Sequence, residues 1–159
     1  MPTFTYESRV DAPLRDVWEF HSTTDGLVEL TPGWMNMTVE GTRGPDGAPD
    51  PEVLEEGSSV DVSLRPLGVF PRVTWRSVIL ERESKEGSAY FTDEMEDGPF
   101  SRWQHTHEFE EDGDGTVARD TVEYELPLWM LGRAGSPAFR LNARLMFRYR
   151  HRRTRELLE

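Results

Sequence analysis

The sequence predicts an α+β domain in which a curved, seven-stranded antiparallel sheet wraps around a long C-terminal helix, with two short helices after the first strand. Three observations carry this. From Met35 to Leu126 six segments alternate apolar and polar side chains and are divided by turn-forming residues, the pattern of strands in an antiparallel meander. Ahead of them the chain reads strand, helix, helix. Behind them, the last segment has helical periodicity with an apolar arc too wide for one sheet face.

The first strand is Phe4 to Val10, where Phe4, Tyr6, Ser8 and Val10 alternate with Thr5, Glu7 and Arg9. Ala12-Pro13 then starts a helix, because proline suits the first helical position, and Val17, Trp18 and Phe20 form its apolar side. A second short helix from Thr23 to Leu30 is closed by Thr31-Pro32-Gly33. The strands that follow are Met35 to Glu40, Ser59 to Arg65, Val73 to Glu83, Ala89 to Glu96, Ser101 to Glu110 and Thr116 to Leu126. Glu86-Gly87, Asp97-Gly98-Pro99 and Asp112-Gly113-Asp114-Gly115 mark tight turns. Arg43 to Gly57, rich in Pro, Gly, Asp and Glu, is the one long loop and a candidate gate.

The C-terminal helix starts at Ser136-Pro137 and runs to near Leu158. At roughly 100° per residue, Arg140, Arg144, Arg148, Arg152 and Arg155 share one stripe, and Phe139, Leu141, Leu145, Met146, Phe147 and Tyr149 fill much of the rest. Such a helix is expected to face a cavity or be covered on two sides. The 30 acidic residues outnumber the 18 basic ones, of which only Lys85 is a lysine, and residues 133–159 carry 8 arginines against 2 acids. The arginine stripe is therefore expected to dock on the acidic body.

At 159 residues the chain is read as a single domain, 1–159. The absence of cysteine excludes disulfides, thiolate metal sites and a cysteine nucleophile. No stretch approaches the roughly 20 apolar residues of a membrane span, and the N-terminus lacks a signal-peptide core, so the expected location is cytoplasmic. A net charge of −12 argues against nucleic-acid or anionic-membrane partners. An acid-rich, lysine-poor surface suits concentrated salt, and a halophilic source is expected.

The opening ESRVDAPLRDVWEF resembles the first strand and helix of the START-like superfamily that includes polyketide cyclases and dehydrases (SRPBCC, helix-grip fold). MEDGPFSRWQHTHEFEEDGDGTVARDTVEYELPL is similar to its late hairpin, and the likeness covers almost the whole chain. It implies a cavity between sheet and helix for a hydrophobic or amphipathic small molecule such as a lipid, an isoprenoid quinone or a polyketide-like compound. It implies no cofactor, and because only some such domains are enzymes it does not name an activity.

Within the hairpin, Trp103, His105, His107 and Phe109 share the expected inner face. Pairing Phe109 with Ala118 brings His107 opposite Asp120, His105 opposite Val122 and Trp103 opposite Tyr124. His107 and Asp120 are then the candidate acid-base pair of a cyclase or dehydratase, the carboxylate orienting the imidazole. His105 and His107 at alternate positions also form half of a metal site, with Asp120 or His21 as a third ligand, but a cupin-like site belongs to a jelly roll, and no metal is assigned. Trp75, Met95, Trp103, His105, His107, Tyr124, Phe139 and Met146 are the candidate ligand-binding residues. Arg76 and Arg102 face outward toward acidic partners. The other reading is a protein-interaction module with a closed pocket.

Overall fold

A computed structural model describes residues 2–65, 68–69, 71–127 and 135–159. Thr3–Val10 forms strand β1, Leu14–His21 helix α1 and Thr24–Glu29 helix α2. The remaining strands are β2 (Thr38–Arg43), β3 (Ser59–Leu64), β4 (Val73–Lys85), β5 (Ser88–Glu96), β6 (Arg102–Asp112) and β7 (Gly115–Glu125). Helix α3, Gly135–Leu158, closes the chain. The strands form one antiparallel sheet in the order β1-β7-β6-β5-β4-β3-β2, as the meander predicts. Register shifts between Val39 and Gly41 and between Ile79 and Glu81 sharpen its twist and curl it around α3.

Alternation decides what the concave face presents. On β7, Ala118, Asp120, Val122 and Tyr124 are buried while the residues between them are half-buried or exposed. Two apolar groups lie under the helices. Phe4, Val122, Tyr124, Leu126, Phe139, Ala143 and Phe147 pack beneath α3. Val10, Ala12, Val17, Ile79, Phe91, Phe109 and Ala118 pack beneath α1, with Trp18 and Leu158 against them. Between these groups the concave face turns polar.

Three details depart from the sequence expectations. The second strand begins at Thr38 rather than Met35, because Pro32-Gly33 opens a 3₁₀ turn over Gly33–Met35 that Asn36 ends in the left-handed region at φ 52°. The long loop is held in place: Leu54 N donates to Ser22 O at 2.9 Å, Gly57 N donates to Ile79 O at 2.8 Å, and Leu54 packs on the lower core.

The arginine stripe does not dock the helix. Arg140, Arg144, Arg148 and Arg152 are exposed, and Leu141 and Leu145 face outward with them. The cause is geometric: α3 lies on the apolar concave face, so its polar side looks away from the sheet. The helix is held instead by Phe139, Ala143 and Phe147, by Arg153 paired with Glu29 at 3.1 Å, and by the Asp11 N–H donating to Glu159 at 2.9 Å. As expected, Arg76 and Arg102 point outward, to Asp61 at 2.8 Å and Glu123 at 4.0 Å. No described helix is long and apolar enough to cross a membrane.

Candidate functional site

Strands β5, β6 and β7 each place ionisable side chains on the concave face, and α3 closes over them. The hairpin register is the expected one: Phe109 pairs with Ala118, His107 with Asp120, His105 with Val122 and Trp103 with Tyr124. Asp93 on β5 pairs with His105 from the other side. Five buried or nearly buried groups therefore meet: Asp93, His105, His107, Asp120 and, from α3, His151.

Asp120 is the hub. Its Oδ1 accepts from His105 Nε2 at 2.7 Å and faces His107 Nδ1 at 3.2 Å, while its Oδ2 accepts from His151 Nε2. His107 Nε2 donates to Asp93 Oδ2 at 2.9 Å, and Ser77 donates to Asp93 Oδ1 at 3.2 Å. The far nitrogen of His151 accepts from the Ser8 hydroxyl at 2.5 Å. The His105 and His107 rings stack at 3.7 Å, Phe91 stacks on His107 at 4.0 Å, and Phe147 stands edge-on to His105 at 5.2 Å.

Removing two carboxylates from water costs several kcal/mol each unless hydrogen bonds replace the lost solvation. Burial alone would raise the Asp120 carboxyl, but the donors His105, His107 and His151 hold it well below the usual carboxylate range. Asp93 is likewise lowered, against burial, by His107 and Ser77. Burial would depress His107, yet its bonds to Asp120 and Asp93 raise it. His105 is lowered by burial and by the neighbouring His107 despite its bond to Asp120. Arg150 reaches toward this group from α3, and burial lowers its guanidinium while the charges of Asp120 and Asp93 oppose that effect. Both nitrogens of His107 face carboxylates. In this arrangement it has no free lone pair to take a substrate proton, although it stands opposite Asp120 as predicted.

His21, the other candidate third ligand, is committed to its own helix: its Nδ1 donates to Val17 O at 2.8 Å and its ring packs on Phe109. Burial pushes its pKa down to about 3 from 6.5. Because the folded value lies below the unfolded one, the unfolded chain takes up the proton first as pH falls. The stability that neutral His21 supports is thus complete above 6.5 and is lost as pH drops toward 3. His21→Gln is expected to lose less stability than the wild type between neutral pH and about pH 4, as read from urea midpoints of both proteins. Equal losses would refute a buried neutral His21.

Beside the polar group lies an aromatic wall. Trp103, Tyr124 and Phe139 meet, with ring centroids 6.1 Å apart for Trp103 and Phe139 and 4.3 Å for Tyr124 and Phe139, and Phe100 joins them. Tyr124 is fully buried, and among the described residues its hydroxyl has no hydrogen-bond partner. Trp75 and Met95 are half-buried and flank Gly98, apart from this wall, while Met146 is half-buried on α3. Among the described residues the void nearest the polar group, lined by His21, Leu30, Asp120, Arg150 and His151, measures about 10 Å³, roughly one water.

Asp93 and His151 belong to this site although no sequence feature singled them out. Asp93 was accessible in principle, since it shares the inward face of its strand with Phe91. His151 follows Phe147 by one helical turn, which places it on the same buried side.

A seven-stranded sheet in this order, gripping a C-terminal helix behind two short helices, is the helix-grip fold of the START-like superfamily. The sequence profile of a domain of unknown function, DUF8410, matches residues 8–158, and the chain belongs to that family. No curated protein matches the sequence. Among solved structures, a protein from Chromobacterium violaceum superposes with a TM-score of 0.70 at 14% identity, over 99% of this chain and 96% of that one. A START superfamily protein from Mycobacterium smegmatis gives 0.64 at 12% identity, over 98% and 96%. Norcoclaurine synthase from Thalictrum flavum, in complex with dopamine and hydroxybenzaldehyde, gives 0.64 at 17% identity, over 98% and 85%. At these identities the likeness establishes the fold.

Proposed function

We propose that the chain binds an amphipathic small molecule between the sheet and α3, with the ligand's apolar body on the aromatic wall and a hydrogen-bonding group on Tyr124. The Tyr124 hydroxyl carries this reading. Left orphaned in an apolar interior it costs about 1–3 kcal/mol, and an oxygen or nitrogen of a ligand would relieve that cost. Trp103 and Phe139 supply flat apolar surface on either side of it. Lipids, isoprenoid quinones and polyketide-like compounds share the required chemistry, a large apolar body with few oxygens. The dopamine and hydroxybenzaldehyde in the norcoclaurine synthase complex are smaller and more polar, and share with these compounds only an oxygen-bearing flat or apolar body.

Because α3 covers the aromatic wall, a ligand enters by displacing the N-terminal half of that helix. That half is anchored in the core by Phe139 and Ala143, whereas Phe147, His151, Thr154 and the Arg153–Glu29 pair hold the C-terminal half. The test is native mass spectrometry of freshly purified protein together with titration of the fluorescent probe anilinonaphthalene sulfonate. A bound lipid-like mass is expected in the wild type. Tyr124→Phe is expected to raise the unfolding midpoint of the ligand-free protein, because it removes the orphaned hydroxyl, and to bind the extracted ligand about tenfold more weakly, the value of one hydrogen bond near 1.4 kcal/mol. A ligand-free wild type whose probe binding is unchanged by Trp103→Ala would overturn the reading.

A further inference from the structure

The geometry points to a second site, independent of the aromatic wall: a divalent first-row transition ion held by Asp93, His105 and His107. One ligand atom from each of the three lies within 4.8 Å of the others, all from two adjacent strands. The assignment of nitrogens follows from the hydrogen bonds. His105 gives Nε2 to Asp120, and among the described residues its Nδ1 has no partner. His107 turns Nδ1 toward Asp120 and Nε2 toward Asp93, and the ion takes the place of the proton that Nε2 donates to Asp93, which is released to solvent on binding.

An ion bound by His105 Nδ1, His107 Nε2 and an Asp93 oxygen then has each histidine's other N–H resting on one carboxylate, the arrangement that fixes tautomer and ring orientation at metal sites. His107 Nε2 and Asp93 Oδ2 stand 2.9 Å apart. Bonds of about 2.1 Å meeting at near right angles space neighbouring donor atoms by roughly 3 Å, so this pair already stands at the spacing of two ligands of one ion, with the third donor within 4.8 Å.

Charge and supporting contacts agree. Asp93 and Asp120 together supply the two negative charges that neutralise a dication in a buried setting. Ser77 holds the far oxygen of Asp93, and His151, itself bonded to Ser8, holds the far oxygen of Asp120. Two imidazoles and one carboxylate select Zn²⁺, Co²⁺, Fe²⁺ or Mn²⁺ over Mg²⁺ and Ca²⁺, which prefer all-oxygen shells. Three protein ligands leave coordination positions open to water or to an exogenous donor, as at reactive rather than structural metal sites. His105-x-His107 alone lacked a third ligand, and neither residue weighed from the sequence serves. His21 bonds to its own helix, and Asp120 orients both histidines from behind. Asp93 takes that place.

The experiment uses the untagged full chain, stripped with chelator and titrated with Co²⁺, read by visible absorption, and with Zn²⁺, read by calorimetry. One equivalent of each is expected, with histidine-type Co²⁺ ligand-field bands. Asp93→Asn and His105→Gln should weaken binding at least a hundredfold. Asp120→Asn should keep the stoichiometry and weaken binding about ten- to a hundredfold through the orientation of the histidines. Should a variant fail to fold by circular dichroism, the wild type still decides, through a rise in its thermal midpoint on Zn²⁺ addition that excess chelator reverses. Absence of Co²⁺ bands and of any Zn²⁺-dependent midpoint shift in the wild type would overturn the assignment. Binding of equal strength in the folded Asp93→Asn and His105→Gln variants would do the same, by placing the ion on surface acids.

Discussion

Replacing Asp120 with alanine is expected to destabilise the metal-free protein by about 3–5 kcal/mol, the range seen when one partner of a buried charged group is removed. Few substitutions elsewhere in the chain should cost as much. Asp120 accepts from His105 and His151 and faces His107, so its loss strands donors on both β6 and α3 at once. His107 retains Asp93, but His105 and His151 keep no charged acceptor. The guanidinium of Arg150 also loses an opposing charge inside the fold. Asp120→Asn keeps the volume and one acceptor oxygen while turning an amide donor toward imidazole donors, so its cost should fall between alanine and wild type. Urea unfolding in the presence of chelator measures both, with the m-value reporting whether the native state stays compact. A loss below about 1 kcal/mol for Asp120→Ala would mean that water replaces the carboxylate and that the cluster is not dry.

The half of this cluster that lies in one hairpin is readable from the sequence, and the half that comes from elsewhere is not. Alternation assigns His105 and His107 to the inner face, and the tight turn after Asp112 sets their register against β7, which is why the pairing of His107 with Asp120 agrees with the structure. Asp93 reaches the site from the far side of β6, across a turn whose register shift-free pairing nothing local announces. His151 depends on how α3 is rotated about its axis. Because apolar residues occupy most of that circumference, periodicity could not choose between faces, and Leu141 and Leu145 were free to point outward. The same ambiguity reversed the role of the arginines. Counting charge predicts attraction between helix and body, but the helix is oriented by burial of Phe139, Ala143 and Phe147, a larger effect than exposed ion pairs worth about 0–1 kcal/mol each.

That orientation rests above all on Phe147, and Phe147→Ala is expected to cost about 3–5 kcal/mol, as for large-to-small changes at well-packed core sites. The side chain is 3% exposed and touches both halves of the interior: it stacks on Phe4 of the edge strand β1 at 5.6 Å and stands edge-on to His105 at 5.2 Å. Truncation therefore opens a cavity beside β1 and uncovers one side of the histidine pair. Water entering there would solvate His105, and the penalty for removing Asp120 should shrink. The double variant Phe147→Ala/Asp120→Ala is accordingly expected to lose less than the two single losses together, by about 0.5–3 kcal/mol, the coupling typical of residues that share a buried network. Strict additivity would mean that the helix and the polar cluster are held independently. A coupling of the expected sign would instead make Phe147 the side chain that keeps the cluster dry, and lifting α3 would then be the motion that admits water, and any polar end of a ligand, to Asp120.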